Sequence, residues 1–242
     1  MKLRLMSALA VLAIATSPSI AHADVITLGS GDIGNSFTVD YNGYTGSGTI
    51  AGLTAQIVFT LTSTTANSYT LSYAATNTSS NPITTSRISG FGFNTDPTLR
   101  GASSTGTFTV TAFNSNVPNV GSVDVCFKGG GGTKSCAGGG GGGVNLGGTG
   151  SGTLTLSFAS PVSSLTLSDF FTRYQSITGA GSTSSAVGSG TISSTGGSST
   201  GGTSTGGTPV PEPGMFGLFA LGVGALLWRR RRTAAAPALA AA

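Results

Sequence analysis

The chain has 242 residues, 7% of them charged, with a formal net charge of +4, 2 cysteines and 1 histidine. The positive balance does not mark a nucleic-acid binder, because Lys2, Arg4 and Arg229 to Arg232 sit at the two ends. Between residues 24 and 209, Arg87, Arg100, Lys128, Lys134 and Arg173 stand against Asp24, Asp32, Asp40, Asp96, Asp124 and Asp169, a nearly neutral body with no basic stripe to follow phosphates.

The N-terminus reads as an export signal over residues 1–23. Lys2 and Arg4 form a basic start, Leu5 to Ile14 an apolar stretch too short to span a bilayer, and Ala21-His22-Ala23 a small-residue cleavage site between Ala23 and Asp24. With the signal goes His22, the sole histidine; the sole glutamate, Glu212, lies near the other end. The body therefore has no histidine for a triad or a zinc site and no glutamate for a glycosidase pair. Its aspartates are scattered and none sits in a calcium-loop motif. The inventory points away from an enzyme, and no metal or cofactor is expected.

Residues 24–177 alternate apolar and polar side chains with period two. Leu53, Ala55, Ile57, Phe59 and Leu61 alternate with mostly polar neighbours, as do Tyr69, Leu71 and Tyr73, then Phe108, Val110 and Ala112, then Leu154, Leu156 and Phe158. Such segments bury one face and wet the other, the habit of antiparallel sheets. Turn-forming clusters at Tyr41 to Tyr44, Asn77 to Pro82, Asn94 to Pro97 and Asn114 to Pro118 divide them. The expectation is an all-β fold, a single antiparallel β-sandwich of jelly-roll type built from two sheets.

Cys126 and Cys136 flank the glycine-rich CFKGGGGTKSC, and export places them in an oxidising compartment, so a disulfide is expected. Lys128 and Lys134 would then project from the pinned loop, beside a wide surface loop at Gly138 to Gly143. Arg173 is expected to pair with Asp169 across the face of a strand, with a ligand contact by Arg173, Tyr174 and Gln175 as the sharper alternative. From 178 to 209 the chain turns to Gly, Ser and Thr, which offer little apolar surface to offset ordering, so this stretch reads as a flexible linker.

Residues 210–232 then carry Pro211, Glu212 and Pro213, an apolar run from Gly214 to Trp228, and the arginines Arg229, Arg230, Arg231 and Arg232; an Ala/Pro-rich tail fills 233–242. The prolines keep the triplet extended. As a transmembrane helix the apolar run would be about 22 Å long, somewhat under the ~30 Å hydrocarbon core. The arginines stop it on the cytoplasmic side. This order of triplet, short span and arginine cluster resembles the PEP-CTERM sorting signal of Gram-negative bacteria. FGFNTDP at Phe91 to Pro97, NVPNVGSVDVCFKGGGG at Asn116 to Gly132, CAGGGGGGV at Cys136 to Val144 and FFTRYQSI at Phe170 to Ile177 resemble the cistern-type PEP-CTERM proteins.

The resemblance implies the Sec translocon, signal peptidase and an exosortase as processing partners, with exopolysaccharide as a further partner at the surface. It implies a transient single pass through the inner membrane with the C-terminus cytoplasmic, then the cell surface or extracellular matrix. It supplies no substrate. The reading is thus an exported, non-catalytic surface or matrix protein. The competing reading is a glycan- or ice-binding module, for which the threonine rows Thr107, Thr109, Thr111 and Thr153, Thr155 are the sequence signal.

Overall fold

Alternation sets the inward face of most strands. In β2 (Ser36–Thr45), Phe37, Val39 and Tyr41 are buried; in β3 (Gly48–Thr65), Leu53 through Leu61 at every second position; in β4 (Ser68–Thr76), Tyr69, Leu71, Tyr73 and Ala75; in β10 (Thr149–Ser157), Leu154 and Leu156. The computed structural model describes residues 24–132, 135–137 and 141–196, and among them there is no α-helix. The remaining strands are β1 (Ile26–Gly29), β5 (Thr85–Asp96), β6 (Gly101–Ser104), β7 (Val110–Val117), β8 (Gly121–Lys128), β9 (Val144–Asn145), β11 (Ser164–Thr178) and β12 (Ser185–Gly196).

All ladders are antiparallel and join into one sheet of 12 strands, with the order β6-β10-β4-β3-β2-β12-β11-β5-β8-β7; β1 pairs with β11 and β9 with β5. The expected two-sheet sandwich is therefore corrected to a single, nearly closed antiparallel sheet wrapped over its core. Its ends, β6 and β7, are consecutive in the chain. Strand length explains the difference. β3 has 18 residues and β11 has 15, long enough to bend from one side of the core to the other. Register shifts in the β2–β3, β3–β4, β2–β12 and β5–β11 ladders supply the bends.

Inside, the rings of Phe37 and Phe59 stack at 5.1 Å, and Phe59 meets Phe91 and Phe93 edge-on at 5.7 and 6.3 Å. A second, smaller cluster lies on the opposite face of β11 and β12, where Ala112, Val117, Val123 and the two cysteines pack on Phe171 and Val187. β5 serves both: Phe91 and Phe93 join the main core while the β7–β8 hairpin crosses close over Gly92. A Cβ there would come 2.6 Å from Phe171 Cε1 and 2.8 Å from Cys126 Cβ, so only glycine fits.

Four expectations of organisation change, the first being that Asn94 to Asp96 is not a turn but the paired end of β5. Tyr41 to Tyr44 is not a turn but the interior of β2, irregular between Asn42 and Tyr44. Asn114 to Val117 likewise belongs to β7, with Asn114 at φ 45°. The stretch 178–209 is not a linker throughout, because β12 sits in the middle of the sheet between β2 and β11. Its inward positions include Gly190, where a Cβ would come 2.7 Å from both Phe170 Cβ and Val39 Cγ1. Neighbouring side chains fill the space that the strand leaves empty.

Candidate functional site

The disulfide loop leaves the end of β8. Cys126 and Cys136 are bonded, with Cα atoms 5.9 Å apart and a sequence separation of 10. Lys128 leaves the same edge of β8 but does not project as expected. It is 3% exposed, and its ammonium donates to the carbonyls of Gly132 at 2.7 Å and Ser135 at 2.6 Å. Burial pushes its pKa below the ordinary lysine value. Its role is to gather carbonyls of a glycine-rich loop that has few side chains of its own. Lys134 and Gly138 to Gly140 lie outside the described residues.

Arg173 does similar work from β11. Nε donates to Ala137 O at 3.1 Å, Nη1 to Ala186 O at 3.0 Å and Nη2 to Ser185 Oγ at 3.2 Å. The expected Arg173–Asp169 pair is not what forms. Asp169 accepts instead from Asn94 Nδ2 and Ser168 Oγ. The β5–β11 ladder shifts register between Ser168 and Phe171 and again between Arg173 and Tyr174, so counting residues along β11 does not keep the two on one face in contact. Tyr174 is 0% exposed and its hydroxyl lies in the main core, while Gln175 accepts from Arg87 Nη2 at 3.2 Å. Arg173, Tyr174 and Gln175 therefore part to different surroundings rather than forming one contact surface.

A cleft of about 300 Å³ opens on the outer face beside the small cluster. Tyr44, Val120, Ser122 and Ser189 line it, together with the edges of Phe170 and Phe171, which are otherwise buried. Asn94 and Asp169 complete it. Tyr44 donates its hydroxyl to Asn119 O at 2.6 Å, tying β2 to the β7–β8 turn. Asn94 takes the backbone N–H of Asp124 on its Oδ1 at 2.9 Å and gives Nδ2 to Asp169 at 3.0 Å, bridging β8 and β11. Asp169 holds φ at 51°, a left-handed conformation inside a strand, at the register shift that turns its exposed carboxylate into the cleft. In the sequence Asn94 reads as part of a turn cluster and of FNTDP, and nothing there brings these residues together, because they come from separate strands.

Thr153 and Thr155 face outward on β10 with their hydroxyls bonded to those of Thr105 and Thr70. Thr107 and Thr109 precede β7 and do not form one strand row with Thr111. At the N-terminal boundary, the carboxylate of Asp24 accepts the backbone N–H of Ile192 on β12. Among the described residues no group of three or more His, Cys, Asp or Glu side chains could hold a metal, and no helix is long and apolar enough to cross a membrane. Ala23, Pro211, Glu212, Pro213 and Arg229 to Arg232, with the expected transmembrane helix, lie outside the described residues.

What folds here is an all-β domain carrying a disulfide-closed loop and a shallow polar cleft. Residues 209–232 of the chain match the PEP-CTERM protein-sorting motif, which supports a PEP-CTERM sorting-domain protein and implies processing by an exosortase for export to the cell surface. Neither a curated protein nor a solved structure matches the chain.

Proposed function

We propose that the chain is a non-catalytic surface or extracellular-matrix protein. It is exported through the Sec translocon, held briefly in the inner membrane by residues 210–232, and released by an exosortase that cuts at or near Pro211-Glu212-Pro213. The observation that carries the sorting route is the motif match at 209–232. Glu212 lies between a polar stretch and an apolar run, and a carboxylate within the bilayer costs about 2.5–3.5 kcal/mol on insertion scales, so the charge holds the triplet at the membrane surface. Arg229 to Arg232 hold the opposite end.

The non-catalytic reading draws on the acidic groups of the domain. Asp32 accepts from Gly29 N and Asn35 Nδ2, Asp40 from Gln56 Nε2, Asp124 from Thr95 N and Asp24 from Ile192 N. These carboxylates fasten strands and turns, which leaves them poorly placed to act as an acid/base pair.

The test of the tail is a surface-fraction peptide map. Glu212→Ala, or deletion of Arg229 to Arg232, should leave full-length precursor in the inner membrane, while the unaltered protein loses residues from about 214 onward. Surface material that keeps the Trp228 peptide, or unchanged processing of the Glu212→Ala chain, would reduce the tail to a simple anchor. Specific turnover of glycosidase, esterase or protease substrates by the purified protein would overturn the non-catalytic reading.

A further inference from the structure

The cleft over Phe170 and Phe171 carries features that neither the fold nor the sorting route uses. Asp169 keeps a left-handed backbone in the interior of β11, which a non-glycine residue adopts only where its surroundings hold it. Both of its hydrogen bonds fall on Oδ2, from Asn94 Nδ2 at 3.0 Å and Ser168 Oγ at 3.2 Å. Oδ1 is left to accept from something else. Asn94 is fixed from two sides and keeps one further N–H and acceptor capacity on Oδ1. Ser189 adds an exposed hydroxyl from β12, and Tyr44 is locked in place by its bond to Asn119 O. Donors and acceptors thus converge, already oriented, beside Val120 and the edges of Phe170 and Phe171.

We infer that this cleft binds a neutral sugar unit, such as a terminal hexose of a polysaccharide. A sugar ring has an apolar C–H face, which would rest on Val120 and on the thin exposed edge that the otherwise buried Phe170 and Phe171 leave, and vicinal hydroxyls that donate to Asp169 Oδ1 and exchange hydrogen bonds with Asn94 and Ser189. The volume of about 300 Å³ is at the lower limit of small-molecule sites, which suits one ring better than a long chain segment. Asp169 is the one charged residue among those lining the cleft, so uronates and phosphates are repelled. Arg173, the nearest cation along β11, already spends three donors on Ala137, Ala186 and Ser185. The inference stands apart from the processing of the tail, since the exported protein has the cleft whether or not it is cut.

The experiment is a titration of the exported protein, disulfide intact, followed by amide chemical shifts. The probes are glucose, galactose and mannose and their disaccharides, with glucuronate and calcium chloride in parallel. At least one neutral sugar should give saturable shifts at Asn94, Asp169 and Ser189 in the millimolar range, with glucuronate weaker. Asp169→Asn suits the left-handed backbone and keeps a similar shape; it should weaken that sugar about tenfold or more, the usual effect of losing a hydrogen bond to a charged group. Ser189→Leu, on an exposed strand position, should fill the cleft and abolish the shifts, while Thr191→Ala outside it should leave them unchanged. No saturable shift with any neutral sugar, unaltered binding in both cleft variants, or saturation by calcium alone would overturn the inference.

Discussion

Three hydroxyls, those of Tyr41, Thr172 and Tyr174, are buried without a hydrogen bond of full geometry among the described residues, although Thr172 lies near enough to Tyr174 to lower its pKa as a hydrogen bond does. Tyr41 on β2 and Thr172 and Tyr174 on β11 flank β12, and their side chains close over Gly188, where a Cβ would come 2.5 Å from Thr172 Oγ1 and 2.9 Å from Tyr174 Cε2. A buried hydroxyl without a partner loses its hydration and receives nothing in return, a penalty of about 1–3 kcal/mol. Tyr174→Phe removes the hydroxyl and keeps the ring that packs under Gly188. It should therefore leave the domain as stable as before or stabilise it by about 1 kcal/mol, read as an unchanged or raised midpoint in urea. A loss of more than 1 kcal/mol would mean that the hydroxyl is bonded, directly to Thr172 or through a buried water shared with Tyr41. Lys128 shows the opposite case. Its buried ammonium meets carbonyl oxygens at 2.6 and 2.7 Å, and so a charge that burial disfavours becomes the fastening of a loop.

Among the elements, β12 has the largest consequence. It pairs with β2 on one side, from Val187↔Tyr44 to Gly196↔Ser36, and with β11 on the other, from Phe171↔Ser189 to Gln175↔Ser185. Removing it would cut the sheet between β2 and β11 and uncover Tyr41, Phe170 and Tyr174. A chain ending after residue 178 should fail to fold, giving rapid proteolysis and no cooperative melting, while one ending after residue 196 should fold as the longer chain does. Cooperative unfolding of the shorter chain would show β12 to be dispensable. The sequence made β3, β4 and β10 legible because each buries one face against a core, so polarity alternates. It hid β12, whose inward Gly188 and Gly190 carry no hydrophobic signal; the rings that complete the core there belong to β2 and β11. The cleft was hidden for a related reason. Tyr44, Asn94, Asp169 and Ser189 belong to four different strands, and the register shift that turns Asp169 outward follows from how β11 meets β5. The disulfide was legible because both partners lie within one short segment.

For the molecule as a whole, charge is sparse and its response to alkali falls to the tyrosines. The chain has 5 of them, and burial raises the pKa of Tyr41, Tyr44, Tyr69, Tyr73 and Tyr174 alike. Tyr41 is raised well above the ordinary 10.0, by burial first and then by the neighbouring Tyr174 and Asp40. An unfolded chain releases phenolic protons near pH 10, whereas the folded domain retains them to higher pH. Between those values the folded state binds more protons, so stability falls as pH rises, by up to about 1.4 kcal/mol per pH unit for each fully buried tyrosine. Lys128 acts in the other direction: burial lowers its pKa from 10.5, and neutralising the buried ammonium relieves the folded state as pH climbs toward that value. One ammonium against five phenols leaves the balance with the tyrosines above pH 10. Tyr41 and Tyr174 should thus show no separate tyrosinate titration while folded, and the domain should unfold cooperatively in alkali, with the bulk of the tyrosinate absorbance and loss of β-sheet circular dichroism appearing together. Tyr174→Phe should move that transition to higher pH, because it removes one of the buried phenols whose ionisation drives it. Gradual tyrosinate formation around pH 10 with the sheet intact would mean that the phenols are open to solvent and that the core is looser than the packing of Tyr41 and Tyr174 requires.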